Sequence, residues 1–154
     1  MASLTHASAK IITAAAALFL LATTAGWAED ALGTVQDGVT YLNVDEAAAL
    51  LAETEDLLVL DVRTDREFTE RRLPDAVQAN FLSPRFRKRI QALDRDRPML
   101  VYCRTGRRSS RAVRVLMDEG FTQIYHLDGG ITAWTAAEET LVAGRTLDGD
   151  EASD

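Results

Sequence analysis

The sequence is poor in cysteine and histidine, and this limits the chemistry that it can support. Cys103 is the only cysteine among 154 residues, so the chain cannot form an internal disulfide. A lone cysteine is either a buried, inert side chain or a thiol retained for its reactivity. The two histidines, His6 and His126, show no metal-binding spacing with this cysteine. We therefore expect no metal ion, and nothing in the sequence implies an organic cofactor.

Positive charge is also scarce in this chain. It has 17 Lys and Arg residues against 24 Asp and Glu residues, which gives a net charge of −7 at pH 7. Proteins that bind nucleic acid usually carry a basic surface, so this balance argues against nucleic acid as a main partner. No internal repeat is visible, and the length suits one domain with one core.

The N-terminal segment lacks an apolar run of membrane-spanning length. Residues 11–22 are apolar except for Thr13, but they are much fewer than the ~20 that a membrane-spanning helix needs. Lys10 precedes them, and Gly26 and Ala28 are small residues at the −3 and −1 positions of a cleavage site. We expect residues 1–28 to be a cleaved signal peptide, rather than an uncleaved anchor helix. Because this segment has no cysteine, lipid attachment to a cleaved N-terminal cysteine is excluded.

These observations predict a simple domain organisation. A short N-terminal segment at 29–34 precedes one domain at 35–142, and an acidic tail at 143–154 is expected to be disordered. Export would place the protein in the periplasm or outside the cell, without stable membrane association after cleavage. The oligomeric state is left open.

Strand and helix patterns alternate along the domain. Continuous apolar runs at 57–63 and 98–103 are typical of buried parallel strands, and further strands are expected at 39–42, 75–80 and 123–127. This alternation predicts an α/β domain with a mostly parallel sheet flanked by helices. Ligands in such sheets bind at the carboxyl ends of the strands, where Cys103 lies.

Helix boundaries are expected from capping residues. Asn43 with Glu46 and Thr64 with Glu67 resemble capping boxes, and Pro84 is placed at the first position of a third helix. A long helix at 107–119 is expected to end at Gly120. Its inward face is expected to consist of four residues, Ala112, Val113, Leu116 and Met117. Residues 131–137 form the last expected helix.

The segment after the strand at 98–103 concentrates positive charge around the thiol. Arg104, Arg107 and Arg108 follow Cys103, and Gly106 permits a tight turn with positive φ. Such a loop can direct N–H groups into one concavity, and arginines beside a helix N-terminus lower a thiol pKa. We expect the loop to hold an anion against a thiolate. The alternative is a core cysteine beside a solvated basic helix face.

Four stretches resemble the rhodanese (sulfurtransferase) family: "CRTGRRS" at 103–109, "LDVRTDREF" at 60–68, "RRLPDAVQAN" at 71–80 and "HLDGGITAW" at 126–134. The resemblance covers about residues 35–138 and suggests a single-domain, exported member. It implies a rhodanese-like α/β fold around a central five-stranded sheet, with a catalytic cysteine that becomes a persulfide. By position, Cys103 is that cysteine, and the surrounding loop consists of Arg104, Thr105, Gly106, Arg107 and Arg108.

The resemblance also implies supporting residues. Asp61 and Arg63 match the family's Asp-Val-Arg, and we expect Arg63 to belong to a structural ion pair. Trp134 matches the family's tryptophan and is expected in the core or in a pocket wall. His126 is expected to be a strand-end residue rather than a base.

One motif departs from the family pattern. Many members read Gly-His-Ile-Pro-Gly-Ala where this chain reads Arg-Arg-Leu-Pro-Asp-Ala at 71–76. Arg72 replaces the histidine and Asp75 replaces the second glycine. The motif is mainly structural, so we expect the change to affect local geometry rather than activity.

The function that the resemblance implies is transfer of sulfane sulfur. The donor would be thiosulfate or a similar small molecule, and the acceptor cyanide or a thiol. Arg107 and Arg108 would hold the sulfonate, because guanidinium groups form bidentate hydrogen bonds with it. The Cys103 thiolate would attack the outer sulfur in a ping-pong scheme.

Two other functions are weighed against this one. A cysteine phosphatase or arsenate reductase is disfavoured, because Tyr102 precedes the cysteine, Ser109 stands where phosphatases have arginine, and no further thiol is present. The loop from Cys103 to Arg108 also has six residues, whereas phosphatases of this fold use seven. A sensory or sulfur-carrying module without turnover remains open from the sequence, since an intact loop does not establish a rate.

Overall fold

The computed structural model describes residues 32–143 as six strands and five helices. The expected signal peptide, and the acidic tail beyond its first residue, lie outside the described residues. The strands are β1 (Thr34–Gln36), β2 (Val39–Leu42), β3 (Leu58–Asp61), β4 (Val77–Gln78), β5 (Met99–Tyr102) and β6 (Ile124–Leu127). The helices are α1 (Val44–Glu53), α2 (Asp65–Glu70), α3 (Phe86–Ile90), α4 (Arg107–Asp118) and α5 (Gly130–Ala136).

The strands form one sheet in the order β1-β2-β6-β5-β3-β4. Five of them are parallel to their neighbours, which confirms the predicted α/β fold, and β1 adds a sixth, antiparallel strand at the edge. The count of five strands was therefore one too low. All three residues of β1 are exposed, so this strand has no hydrophobic pattern. It is joined to β2 through Asp37 and Gly38, whose positive φ values suit a tight hairpin turn.

Alternating residues of each strand face two apolar layers. In β3, Leu58 and Leu60 pack against α3 and α4, whereas Val59 packs against α1 and α5. Burial on both faces explains why β5 is apolar throughout and why β3 is apolar up to Asp61, whose carboxylate is paired with Arg63. The sheet therefore holds β5, and the cysteine that follows it, between two helical layers.

Local capping signals place two helices as predicted. Both capping boxes are present: Asn43 accepts from the backbone N–H of Glu46, and Thr64 accepts from that of Glu67. Gly120 has φ +91, as expected for a glycine that ends α4.

Two helix predictions were wrong in detail. Helix α3 begins at Phe86 rather than Pro84, because the Ser83 hydroxyl accepts from the backbone N–H of Arg85 and forms a turn there. Met117 is 38% exposed rather than inward, because it lies at the margin of the α4 apolar stripe. Within residues 32–143, no helix combines the length and apolar character needed to cross a bilayer.

Candidate functional site

Cys103 lies at the carboxyl end of β5, in the turn that leads into α4. The residue is 1% exposed. Gly106 precedes α4 with φ +89, a left-handed conformation that glycine adopts without a steric penalty. The chain therefore turns sharply around the sulfur atom, and the first turn of α4 lies directly beside it.

Hydrogen bonds stabilise the charged form of this thiol. Burial acts to raise the pKa of Cys103, but the Ser109 hydroxyl and the backbone N–H groups of Ser109, Thr105 and Arg108 lower it. The pKa is lowered overall. The Ser109 Oγ atom lies 3.4 Å from Cys103 Sγ. The turn thus directs several donors at the sulfur, which is the arrangement that stabilises a thiolate or a bound anion.

The loop arginines have different environments. Arg108 donates to both carboxylate oxygens of Glu67, at 2.8 and 2.7 Å. This pairing lowers the pKa of Glu67 to about 2, with help from hydrogen bonds of Thr64. Arg104 and Arg107 are exposed. Arg108 therefore joins α4 to α2, and the more accessible guanidinium groups belong to the other two arginines.

Two clefts adjoin the loop. One has a volume of about 260 Å³ and is lined by Thr105, Arg107, Arg108 and Arg111. The other has a volume of about 530 Å³, and its lining includes Arg63, Arg71 and Arg104. Guanidinium groups line both clefts, but the larger one also carries the carboxylates of Glu67 and Glu70, so the smaller cleft is the more favourable for a small anion.

The expected supporting residues occupy structural positions. Asp61 and Arg63 are buried and joined by paired hydrogen bonds, the shortest at 2.6 Å, and Arg63 also donates to the backbone carbonyl of Arg71. Trp134 is buried in the apolar layer and donates from Nε1 to the carbonyl of Thr140. Arg63 is thus a member of an ion pair, and Trp134 is a core residue.

Helix α5 closes against the cysteine loop. The backbone N–H groups of Ile131 and Thr132 donate to the carbonyls of Cys103 and Arg104, at 2.9 and 3.0 Å. A Cβ atom at Gly130 would overlap the Cys103 carbonyl oxygen. A glycine at this position therefore lets the two segments approach closely enough for these hydrogen bonds.

The motif at 71–76, which departs from the family pattern, still forms a tight turn. Asp75 has φ +54, the left-handed region in which aspartate is better tolerated than most residues. Leu73 is fully buried, and its N–H donates to the Tyr102 hydroxyl. The guanidinium of Arg72 lies over the Phe68 ring, 4.6 Å from its centroid.

Two residues that the sequence analysis did not assign to the site lie beside the thiol. Ser109 is buried against Cys103, and His126 is 2% exposed, with its Nε2 atom 2.8 Å from Ser109 Oγ. His126 is the penultimate residue of β6, near the strand end as expected, and its Nε2 atom faces the loop, 3.3 Å from the Gly106 carbonyl. The available signal was a histidine within an apolar strand, directly before the residues "LDGG".

Comparison with known proteins agrees with this geometry. Residues 43–137, more than half of the chain, match the model of the rhodanese-like domain. A sulfurtransferase of Allochromatium vinosum is 36% identical over 106 residues, which cover 68% of this chain and 96% of that protein. The thiosulfate sulfurtransferase GlpE of Shewanella oneidensis is 30% identical over 97 residues, covering 63% and 93%.

A solved structure shows the same fold. The rhodanese-related protein of Thermoplasma volcanium superposes with a TM-score of 0.59 at 25% identity, covering 66% of this chain and 96% of that one. Residues 43–137, which match the rhodanese-like domain model, contain Cys103, Ser109, Glu67 and every helix of the domain. The chain is therefore a member of the rhodanese-like family.

Proposed function

We propose that the protein is a sulfurtransferase that carries sulfane sulfur on Cys103 as a persulfide. The observation that carries this proposal is the lowered pKa of a buried thiol that faces several hydrogen-bond donors. Thiolate is the nucleophilic form of cysteine, so this environment favours attack at neutral pH. Relatives named sulfurtransferase and thiosulfate sulfurtransferase support the same activity.

The first half-reaction forms a sulfur–sulfur bond and breaks another. The Cys103 thiolate attacks the outer sulfur of thiosulfate, and the S–S bond of the donor breaks. Sulfite leaves with the electron pair of that bond, and Cys103 holds the outer sulfur as a persulfide. The loop N–H groups and the Ser109 hydroxyl, which face Cys103 Sγ, stabilise the attacking thiolate through hydrogen bonds.

The second half-reaction returns the enzyme to its starting state. Cyanide or a thiolate attacks the outer sulfur of the persulfide, and the bond to Cys103 Sγ breaks. The acceptor leaves as thiocyanate or as a persulfide, and Cys103 is again a thiolate.

The two loop arginines differ in how they can act on the donor. The exposed Arg107 attracts the anionic donor, whereas the fork of Arg108 is held by Glu67.

This function predicts a stable, removable sulfur on one residue. Incubation with thiosulfate should add about 32 Da to the protein, and cyanide should remove it with formation of thiocyanate. Cys103→Ala should abolish both, because the chain has no second thiol. Mass spectrometry and a thiocyanate assay measure the two steps. Sulfur loading without turnover would identify a sulfur carrier, and transfer by Cys103→Ala would contradict the mechanism.

A further inference from the structure

A chain of hydrogen bonds leads from the buried sulfur to the surface. Cys103 Sγ lies 3.4 Å from Ser109 Oγ, and Ser109 Oγ lies 2.8 Å from His126 Nε2. On the other side of the imidazole, Nδ1 lies 3.1 Å from Asp128 Oδ1. The first three residues are at most 2% exposed, whereas the Asp128 side chain is 61% exposed. The chain therefore joins the thiol to a carboxylate in contact with solvent.

The donors and acceptors in this series of hydrogen bonds determine the direction in which a proton can move. The Asp128 carboxylate accepts only, so it favours the imidazole form with a proton on Nδ1. Nε2 then carries a lone pair directed at Ser109. The Ser109 hydroxyl has a single proton and three acceptors within reach: Cys103 Sγ, the Gly106 carbonyl at 3.0 Å and His126 Nε2. A proton on Nε2 would remove one of these acceptors, so that the sulfur would compete with the Gly106 carbonyl alone for the hydroxyl proton.

We propose that Ser109 relays the Cys103 proton to His126, which Asp128 orients. The Cys103 S–H bond breaks and its proton passes to Ser109 Oγ, while the Ser109 hydroxyl proton passes to His126 Nε2. The electron pair stays on sulfur, so the products are a thiolate and an imidazolium. His126 is a positioning residue, since it acts on the sulfur through Ser109. The relay rests on the proposed function, because it supplies the thiolate that sulfur transfer uses.

The His126 ring also contacts residues of β2 and of the first turn of α4. Tyr41 from β2 packs on the ring at 5.0 Å between centroids, and Ser110 from α4 places its Oγ 3.4 Å from Nε2. The Gly106 carbonyl lies 3.3 Å from the same nitrogen. Tyr41 and Asp128 are the ionisable groups in direct contact with the imidazole, and Cys103 is connected to it through Ser109.

The relay is tested with iodoacetamide, a neutral reagent that reports the thiolate without any sulfur donor. Ser109→Ala removes the bridging hydroxyl. His126→Gln keeps an amide able to hydrogen-bond Ser109 but unable to take a proton. In both variants, alkylation of Cys103 should shift to higher pH and slow by about tenfold or more at neutral pH. The glutamine variant separates a relay from simple structural support, which an amide would provide.

Thr69→Ala is the control, because it removes a hydroxyl that donates to the Asp65 carbonyl within α2 and is not part of this series of hydrogen bonds. Its alkylation profile should match the original protein. Asp128→Asn provides a second test at an exposed position, and it should slow alkylation in the same direction even if His126→Gln does not fold. A His126→Gln protein that folds and alkylates normally overturns the relay. Equal slowing by Thr69→Ala also overturns it, since the effect would then not depend on Ser109 or His126.

Sulfur loading by the original protein keeps the two proposals separate. If thiosulfate leaves the mass unchanged but the His126 and Ser109 variants slow alkylation, the relay stands and the proposed function fails. If the persulfide forms at full rate in His126→Gln, the proposed function stands and the relay fails.

Discussion

At the scale of single residues, the loop arginines differ more than their sequence suggests. Arg107 and Arg108 are adjacent in the chain, yet Arg108 forms a bidentate pair with Glu67 and Arg107 is exposed. The bidentate pair holds the Arg108 fork on Glu67, so that fork is not free to bind a substrate. Arg107 is therefore the better candidate for contact with the sulfonate of a donor, and Arg108 for support of the loop.

Arg107→Ala should raise the KM for thiosulfate more than it lowers kcat, with a loss of about tenfold in kcat/KM. The reason is loss of a charge-assisted contact to the donor, and the iodoacetamide profile of Cys103 should stay unchanged. Arg107→Lys should rescue partly, since lysine keeps the charge and loses the fork. Arg114→Ala, an exposed arginine further along α4, is the control. Unchanged thiosulfate kinetics would show that the loop backbone alone holds the donor.

At the scale of secondary-structure elements, Glu67 connects two helices and caps one of them. Its carboxylate accepts from the Thr64 backbone and hydroxyl at the start of α2, and from Arg108 at the start of α4. These hydrogen bonds explain why its pKa falls to about 2. Helix α2 and the cysteine loop are thereby joined by one side chain, 41 positions from Arg108 in sequence.

The Glu67 contacts should make stability depend on acid pH. The folded-state pKa is about 2, against an ordinary value of 4.5, so the ionised carboxylate stabilises the fold above about pH 4.5. That contribution is lost as pH falls from about 4.5 to about 2. Glu67→Gln should lower the free energy of unfolding by about 1–2 kcal/mol at pH 7, a range reduced for solvent screening of the pair, and by little near pH 2.

Urea unfolding at several pH values measures this effect. Glu70→Gln is the matched control on the same helix, because its pair with Arg66 is largely exposed and should contribute little at any pH. A Glu67→Gln difference that stays constant between pH 7 and pH 2 would show that ionisation of the carboxylate is not its source.

At the scale of the whole molecule, we propose that the protein is exported and trimmed. Support comes from the short apolar run at 11–22 and the small residues Gly26 and Ala28. Intact-mass measurement of protein recovered from the exporting cell should give a chain that begins at Glu29. A membrane-bound product that retains residues 1–28 would refute the proposal.

Much of the architecture could be predicted because its signals are local. Continuous apolar runs identified β3 and β5, and the capping boxes at Asn43 and Thr64 use residues three positions apart. The predictions failed where the local signal was weak or ambiguous. Strand β1 has no buried residue, and a serine turn delays the start of α3.

For the candidate site too, features that depend on neighbouring residues could be predicted, and contacts between distant residues could not. The sequence alone determined the fold class, the identity of the single thiol and the arginine-rich loop that follows it, because these depend on composition and on neighbouring residues. Only the tertiary structure decided the partners of that loop: Glu67 for Arg108, and His126 with Ser109 beside the sulfur. The Arg108–Glu67 and Ser109–His126 contacts join residues 41 and 17 positions apart, and strand order and helix packing, rather than residue spacing, determine that these residues meet.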